Sequence, residues 1–398
     1  MIRSAFDLGV EIALRALLAP GILAARWLVP HGPAPAHDVP ALPASLARVA
    51  KVALDEIFFL TEILSATFVT MRDRTRLRTE VASALTFFES RGWLDAPASY
   101  YVAPPPLESV ALQASRSIGR NYVHLTFESG YEPLPGEPGR ERWLGYGPNR
   151  TAHAWVLEHP GGPRPWLVCL HAYRTGFPLT DFVQFPPSWL HRRLGLNVLV
   201  PVLPLHGPRT VGRRSGEGFF SGEFLDTIHL QAQAVWDVRR LLGWIRARGG
   251  LDVGVYGLSL GGATAGLLAG LEPDLTCVIA GMPVIDLMGL GRRHVPALVL
   301  TLAERLGIAW DAVEQLLHII SPLALPARVA RERRFLFGGV ADRLVPPEQL
   351  CALWHHWERP RLAWHGGSHA SFGFESTVRT LVHEALVATG MVPPEPQP

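Results

Sequence analysis

Val253-Gly254-Val255-Tyr256-Gly257-Leu258-Ser259-Leu260-Gly261-Gly262 is the stretch on which the reading of this chain turns. A β-branched, apolar run leads into Gly-Leu-Ser-Leu-Gly, and a small-residue helix pattern follows from Ala263 to Leu271. The order is strand, sharp turn, helix, with a serine at the apex. The flanking glycines have a steric task, because so tight a turn brings strand and helix backbones together and leaves little room for a Cβ. The serine of such a turn is held in a strained conformation with its hydroxyl clear of the sheet edge. Five-residue matches to G-x-S-x-G arise by chance in a chain with 38 glycines, so the strand before this one and the helix after it give it its weight.

The rest of the composition sets the bounds. A chain of 398 residues holds one large domain plus an extension, or two domains. Apolar residues make up 48% and charged residues 18%, the balance of a well-cored globular protein rather than a disordered one. The formal net charge is +2, and Lys51 is the one lysine, so nearly all positive charge is arginine. No basic run and no zinc-like Cys/His spacing argues for nucleic acid. Cys169, Cys277 and Cys351 are odd in number, far apart and set in apolar surroundings, which reads as buried free thiols in a reducing, cytoplasmic compartment.

Residues 1–29 read as a helix in which Arg3, Asp7, Glu11 and Arg15 form one polar stripe amid Ile2, Phe6, Val10, Ile12, Leu14, Leu17 and Leu18. The uncharged run from Ala16 to Ala25 is ten residues long, too short to span a bilayer, and Asp7 and Glu11 disfavour a signal peptide. Two readings stand: a helix packed on the main body, or one making peripheral contact with a membrane surface. Packing is preferred because the basic polar face of a membrane-surface helix is missing. Five prolines between Pro30 and Pro43 mark a linker. Leu46, Val49, Ala53, Ile57, Leu60, Leu64 and Phe68 then recur at helical spacing, as do Leu77, Val81, Leu85 and Phe88 ahead of Gly92. Residues 1–115 are therefore a helical extension, without an evident catalytic constellation, and Pro104-Pro105-Pro106 lies near its end. The remainder, 116–398, is a second unit.

In that second unit the period changes. Tyr122 to Phe127 and Thr151 to Leu157 alternate like strands, whereas Trp166–Leu170 and Asn197–Val202 are continuous apolar runs, the mark of strands buried on both faces. A long helix through Leu225, Ile228, Ala232, Val235, Val238, Leu242 and Ile245 delivers the chain to the serine strand. Further strands are expected at Thr276–Ala280, Phe335–Phe337 and Leu362–Trp364, with helices between them. Alternation of strand and helix implies a mostly parallel sheet covered on both faces.

A serine hydroxyl is a poor nucleophile at neutral pH and needs a base, which in turn needs an orienting acid. In parallel sheets such groups come from loops at the carboxyl ends of strands. Asp342 follows the Phe335–Phe337 strand in a Gly-Gly-x-x-Asp loop, and His369 lies four residues past His365, at the end of the next strand. His365 is a competing base with less reach, being at the strand end itself. Asp286, after the Cys277 strand, is a competing acid, and Asp342 is preferred because its glycine-rich loop suits a reaching acid better. A zinc reading of His365 and His369 fails, because they straddle a Gly-Gly loop rather than a helix face and lack an evident third ligand. The Leu205–Arg209 loop reads equally well as pocket lining or as a structural turn.

From about Tyr122 to the C-terminus the chain resembles an α/β-hydrolase. The matching parts are the Gly257–Gly261 elbow, the Asp342 loop and the Gly-Gly-Ser-His369 loop, in that family's chain order. The resemblance implies a mostly parallel sheet of about eight strands with helices on both faces, behind the N-terminal helical extension. It implies Ser259 as nucleophile, His369 as general base and then acid, and Asp342 as orienting acid, with no metal or cofactor. It also implies two oxyanion N–H donors, one on Leu260 and one in the loop Leu170-His171-Ala172-Tyr173-Arg174. Many members have His-Gly where this chain has His171-Ala172; the donor by position is Tyr173, with Ala172 the fallback. Residues 286–320, carrying Leu298, Leu302, Leu306, Val313, Leu316 and Leu317, read either as a cap over the site or as an ordinary crossover. The expected activity is a serine carboxylesterase or lipase-like hydrolase acting on a small-molecule ester or acyl substrate. An acyltransferase or peptidase with the same three residues, and a catalytically silent binding protein, are the rivals.

Overall fold

The computed structural model of the protein describes residues 38–41, 45–65, 73–250 and 252–394. The helix expected over 1–29, with both of its readings, lies outside the described residues, as does Phe68. Strands β1 (Ala111–Ser117), β2 (Arg120–Glu128), β3 (Thr151–Leu157), β4 (Trp166–Leu170), β5 (Asn197–Pro201), β6 (Val253–Leu258), β7 (Cys277–Gly281), β8 (Arg334–Gly339) and β9 (Arg361–His365) form one sheet. Their order is β1-β2-β3-β5-β4-β6-β7-β8-β9. Pairings from β1 through β3 to β5 are antiparallel, and those from β5 through β4 and β6 to β9 are parallel. This is an α/β-hydrolase fold.

Among the described residues the sheet has nine strands, in keeping with the expected sheet of about eight, and the first, β1, straddles residue 115. Its sequence, Ala-Leu-Gln-Ala-Ser-Arg-Ser, carries no apolar alternation because it is an edge strand paired only with β2 and mostly exposed on both faces.

Among the described residues, helices of eight or more residues are α1 (Leu46–Ser65), α2 (Arg74–Ser90), α3 (Phe224–Ala247), α4 (Leu260–Leu271), α5 (Leu287–His294), α6 (Ala297–Arg305), α7 (Trp310–His318), α8 (Pro347–His356) and α9 (Ser376–Ala388). Successive side chains of a strand point to opposite faces, and the two cores follow that rule. Val168, Leu170, Val255, Val278 and Leu336 face α2, α3, α4, α7 and α8. Leu167, Cys169, Tyr256, Ile279 and Phe337 face the opposite way, onto α9 and the segment from Phe182 to Leu196. Cys169, Cys277 and Cys351 are buried and free, as expected. Among the described residues no helix is long and apolar enough to cross a membrane.

Among the described residues, α2 and the segment after it do not form a core of their own. Leu77, Val81, Phe88, Trp93, Tyr100 and Tyr101 belong to the same buried cluster as the first sheet face. Helix α1 lies with an unexpected side inward. Its apolar stripe is exposed, Leu46 at 90%, Val49 at 52% and Ile57 at 59%, while Val52, Asp55, Glu56 and Phe59 are buried. Charged inward residues win here because they meet polar partners, described below. The segment after Asp286 is divided: α7 buries Val313 and Leu316 against the main core, whereas α6 buries none of its residues.

Candidate active site

The strand order reverses its winding between β4 and β6: from β4 the chain crosses to β5 on one side, then returns to β6 on the other. A crevice outside the carboxyl ends of two such strands is where open α/β sheets place their ligands. Ser259 follows β6 and the Leu170–Arg174 loop follows β4, so both stand at that crevice.

Ser259 has φ 54° and ψ −110°, a conformation that a side-chain-bearing residue rarely adopts. The turn is fixed from both sides. Ser259 N–H donates to Gly281 O at 2.8 Å, and Ser259 O accepts from Ala263 N–H at 3.0 Å. A Cβ on Gly257 would overlap the Gly261 carbonyl, and one on Gly261 would overlap the Leu170 carbonyl. The two glycines therefore let the elbow rest directly on the end of β4. Helix α4 starts at Leu260, so the Leu260 N–H is among the first-turn donors with no intrahelical acceptor.

The loops bearing Asp342 and His369 are laced together at the ends of β8 and β9. Val340 N–H donates to His365 O at 3.0 Å and Ala341 N–H to Gly367 O at 3.1 Å. His369 Nδ1–H then donates to Asp342 Oδ2 at 2.7 Å. Asp342 is buried, and its Oδ1 accepts from the N–H groups of Leu344 at 2.9 Å and Val345 at 2.8 Å, which fixes the carboxylate's direction. Burial, the largest single effect, works against a charged His369, but Asp342 and then Asp55 outweigh it and raise the imidazole's pKa above its ordinary value. Neither the Ser259 hydroxyl nor His369 Nε2 has a hydrogen-bond partner among the described residues.

The competitors are held by other contacts. Asp286 is exposed, and its Oδ1 caps α5 by accepting from Gly289 N–H at 2.7 Å. His365 is buried, and its Nδ1 accepts from Gly367 N–H at 3.2 Å, with burial pushing its pKa down to about 4.

In the loop after β4, Leu203 N–H donates to His171 Nε2 at 3.0 Å, which leaves the proton on Nδ1 for Ala172 O at 2.9 Å. Thr175 Oγ1 also donates to Ala172 O, at 2.7 Å, and Ala172 N–H donates to Gln184 Oε1 at 3.1 Å. Ala172 thus has both backbone groups engaged, whereas Tyr173 N–H has no acceptor among the described residues. Tyr173 and Leu260 share one small apolar cluster with Leu205 and Phe219. The Leu205–Arg209 loop both touches this cluster and is tied down as a turn. Arg209, fully buried, donates to Asp237 Oδ2 at 2.9 Å, Val202 O at 3.0 Å and Asn149 O at 2.9 Å.

Sequence reading missed the contribution of α1. Asp55 accepts from the N–H groups of Arg343, His369 and Ala370. Glu62 pairs with Arg174 at 2.7 Å and accepts from Tyr173 Oη at 3.2 Å. The available signal was Asp55-Glu56 flanked by Val52 and Phe59 on one helical face, an acidic pair inside an apolar stripe.

Two uncharacterized proteins of Mycobacterium tuberculosis, one from each of two strains, are each 39% identical to this chain over 403 residues, covering 98% of this chain and 95% of the relative. Among solved structures, acetyl xylan esterase 1 from a Thermoanaerobacterium species is 17% identical, covering 80% of this chain and 99% of that one, with a TM-score of 0.49. An acetyl xylan esterase from a Paenibacillus species is 18% identical over 76% of this chain and 94% of that one, with a TM-score of 0.47. No protein-family model matches the chain.

Proposed function

The chain belongs to the family of these two mycobacterial proteins, and from its fold and site we propose that it is a serine hydrolase cleaving carboxylic esters through an acyl-enzyme. The observation that carries this reading is the 2.7 Å bond from His369 Nδ1–H to Asp342, held in the same sheet as the strained Ser259 turn. With Nδ1 protonated and bound to the carboxylate, Nε2 carries the lone pair a base requires. Bonds between nucleophile and base are often long without substrate and tighten in the complex, which accommodates the unpartnered Ser259 hydroxyl.

In this scheme Ser259 Oγ attacks the ester carbonyl while His369 Nε2 takes its proton. The Leu260 and Tyr173 N–H groups hold the oxyanion, and His369 returns the proton to the leaving alcohol. Water, deprotonated by the same imidazole, then attacks the acyl-enzyme and frees Ser259. A fluorophosphonate probe tests the reading: wild type takes the label and Ser259→Ala does not. An unlabelled wild type, or a labelled Ser259→Ala, would sink it. A series of p-nitrophenyl esters of increasing acyl length then reports the substrate class.

A further inference from the structure

We propose that Asp55, on α1, is a positioning residue that holds the acid and base loops in register and supplies a second negative charge to the imidazolium formed during turnover. The proposal rests on the hydrolase reading for its consequences and on geometry for its existence. Asp55 is 0% exposed. Its Oδ2 accepts from Arg343 N–H at 2.9 Å and from His369 N–H at 3.1 Å, and its Oδ1 accepts from Ala370 N–H at 2.8 Å. One of these donors is the residue after the acid; the other two are the base itself and its successor. A single carboxylate thereby ties together the two loops whose separation sets the His369–Asp342 bond.

The rest of α1 strengthens the attachment. Ser368 Oγ donates to Lys51 O at 2.7 Å, Arg48 Nε–H donates to Gly366 O at 3.2 Å, and Arg343 pairs with Glu56 at 2.9 Å. Through Glu62 the same helix also grips Arg174 and Tyr173 of the loop after β4. One helix therefore touches all three loops that bear on Ser259.

A plain staple would not need a charge. A neutral amide offers one acceptor oxygen where Asp55 uses two, and a buried carboxylate is costly to desolvate. What the charge adds is felt at His369. The titratable groups facing that ring are Asp342 from the acid loop, Asp55 from α1 and His365 from the end of β9, with the Lys51–Glu375 pair beyond His365. Both carboxylates favour the protonated ring. Removing the charge at position 55 lowers the proton affinity of His369, and loosening the loops misplaces it.

The test compares wild type with Asp55→Asn and Asp55→Glu in the full chain. Asp55→Asn is expected to lower kcat on a short p-nitrophenyl ester by about ten- to hundredfold with little change in KM. It is also expected to move the acid limb of kcat/KM to lower pH. The His369 imidazole is titrated separately by NMR of histidine-labelled protein, assigned with His369→Gln. This readout needs no turnover, so an inactive wild type would count against the hydrolase reading while the titration still decides the role of Asp55. An unmoved His369 titration in Asp55→Asn would overturn the proposal, as would kcat within about twofold of wild type in an active enzyme. If Asp55→Asn does not fold, Asp55→Glu decides. A normal His369 titration with kcat lowered at least about tenfold supports positioning, and wild-type kcat overturns it.

Discussion

Replacing Asp342 by Asn separates the two candidate acids and tests the role of His369 at the same time. The structure shows what the change removes. Asp342 Oδ1 accepts from Leu344 and Val345 N–H, and an Asn carbonyl oxygen can keep both bonds, so the loop is expected to hold its shape. The amide NH2 then takes the place of Oδ2, facing His369 Nδ1 from 2.7 Å. Two donors cannot share that contact, so the ring must present a lone pair at Nδ1 and carry its proton on Nε2. In the proposed scheme an Nε2–H cannot accept the Ser259 proton. Where the same substitution is made in a serine protease triad, the wrong tautomer lowers kcat by roughly 10⁴-fold, about 5.5 kcal/mol of barrier. The loss is expected here at the same order, with KM nearly unchanged. Asp286→Asn is the control: its side chain caps α5 through Gly289 N–H, and Asn caps as well as Asp, so activity stays within about twofold. Initial rates on a short p-nitrophenyl ester, with near-ultraviolet circular dichroism as the check on folding, measure both. A larger loss in Asp286→Asn, or an Asp342→Asn enzyme retaining more than about a tenth of wild-type kcat, would refute the assignment.

The acid limb of the wild-type kcat/KM profile should lie above pH 6.5, the ordinary histidine value, because Asp342 and Asp55 outweigh burial at His369 and the base works in its neutral form; a midpoint below it would contradict the geometry. A stability effect is expected at Glu137, whose carboxyl burial pushes up to about 7 despite bonds from Leu134 N–H and Tyr100 Oη. Its contribution to stability is present below its ordinary value of 4.5 and is lost as pH rises through about 7. The Tm of Glu137→Gln relative to wild type should therefore be higher at about pH 8 than at about pH 5, and a flat difference across that range would place the ionisation elsewhere.

Most of the sheet was legible because a strand buried on both faces leaves a continuous apolar run, as at Trp166–Leu170, and because only glycine fits where two backbones touch, as at Gly257 and Gly261. Strand β1 was not legible, since an exposed edge strand is selected for pairing rather than for apolar content. Local pattern could not rank Asp342 above Asp286 conclusively, because both follow parallel strands and only the paths of their loops differ. Helix α1 shows the deeper limit. Periodicity detects the face that avoids water, and on α1 that stripe is exposed while Asp55 and Glu56 are buried. What turns the acidic side inward is a set of backbone N–H groups 288 to 315 residues away along the chain, which the acidic pair at Asp55-Glu56 does not identify by itself. Those N–H groups need acceptors wherever their loops are buried, and a donor left unmatched costs about 1–3 kcal/mol. A buried carboxylate without donors and N–H groups without an acceptor are each unfavourable alone; brought together they specify where the helix must lie. The segment that reads as an extension is therefore placed by the very loops that carry Asp342 and His369.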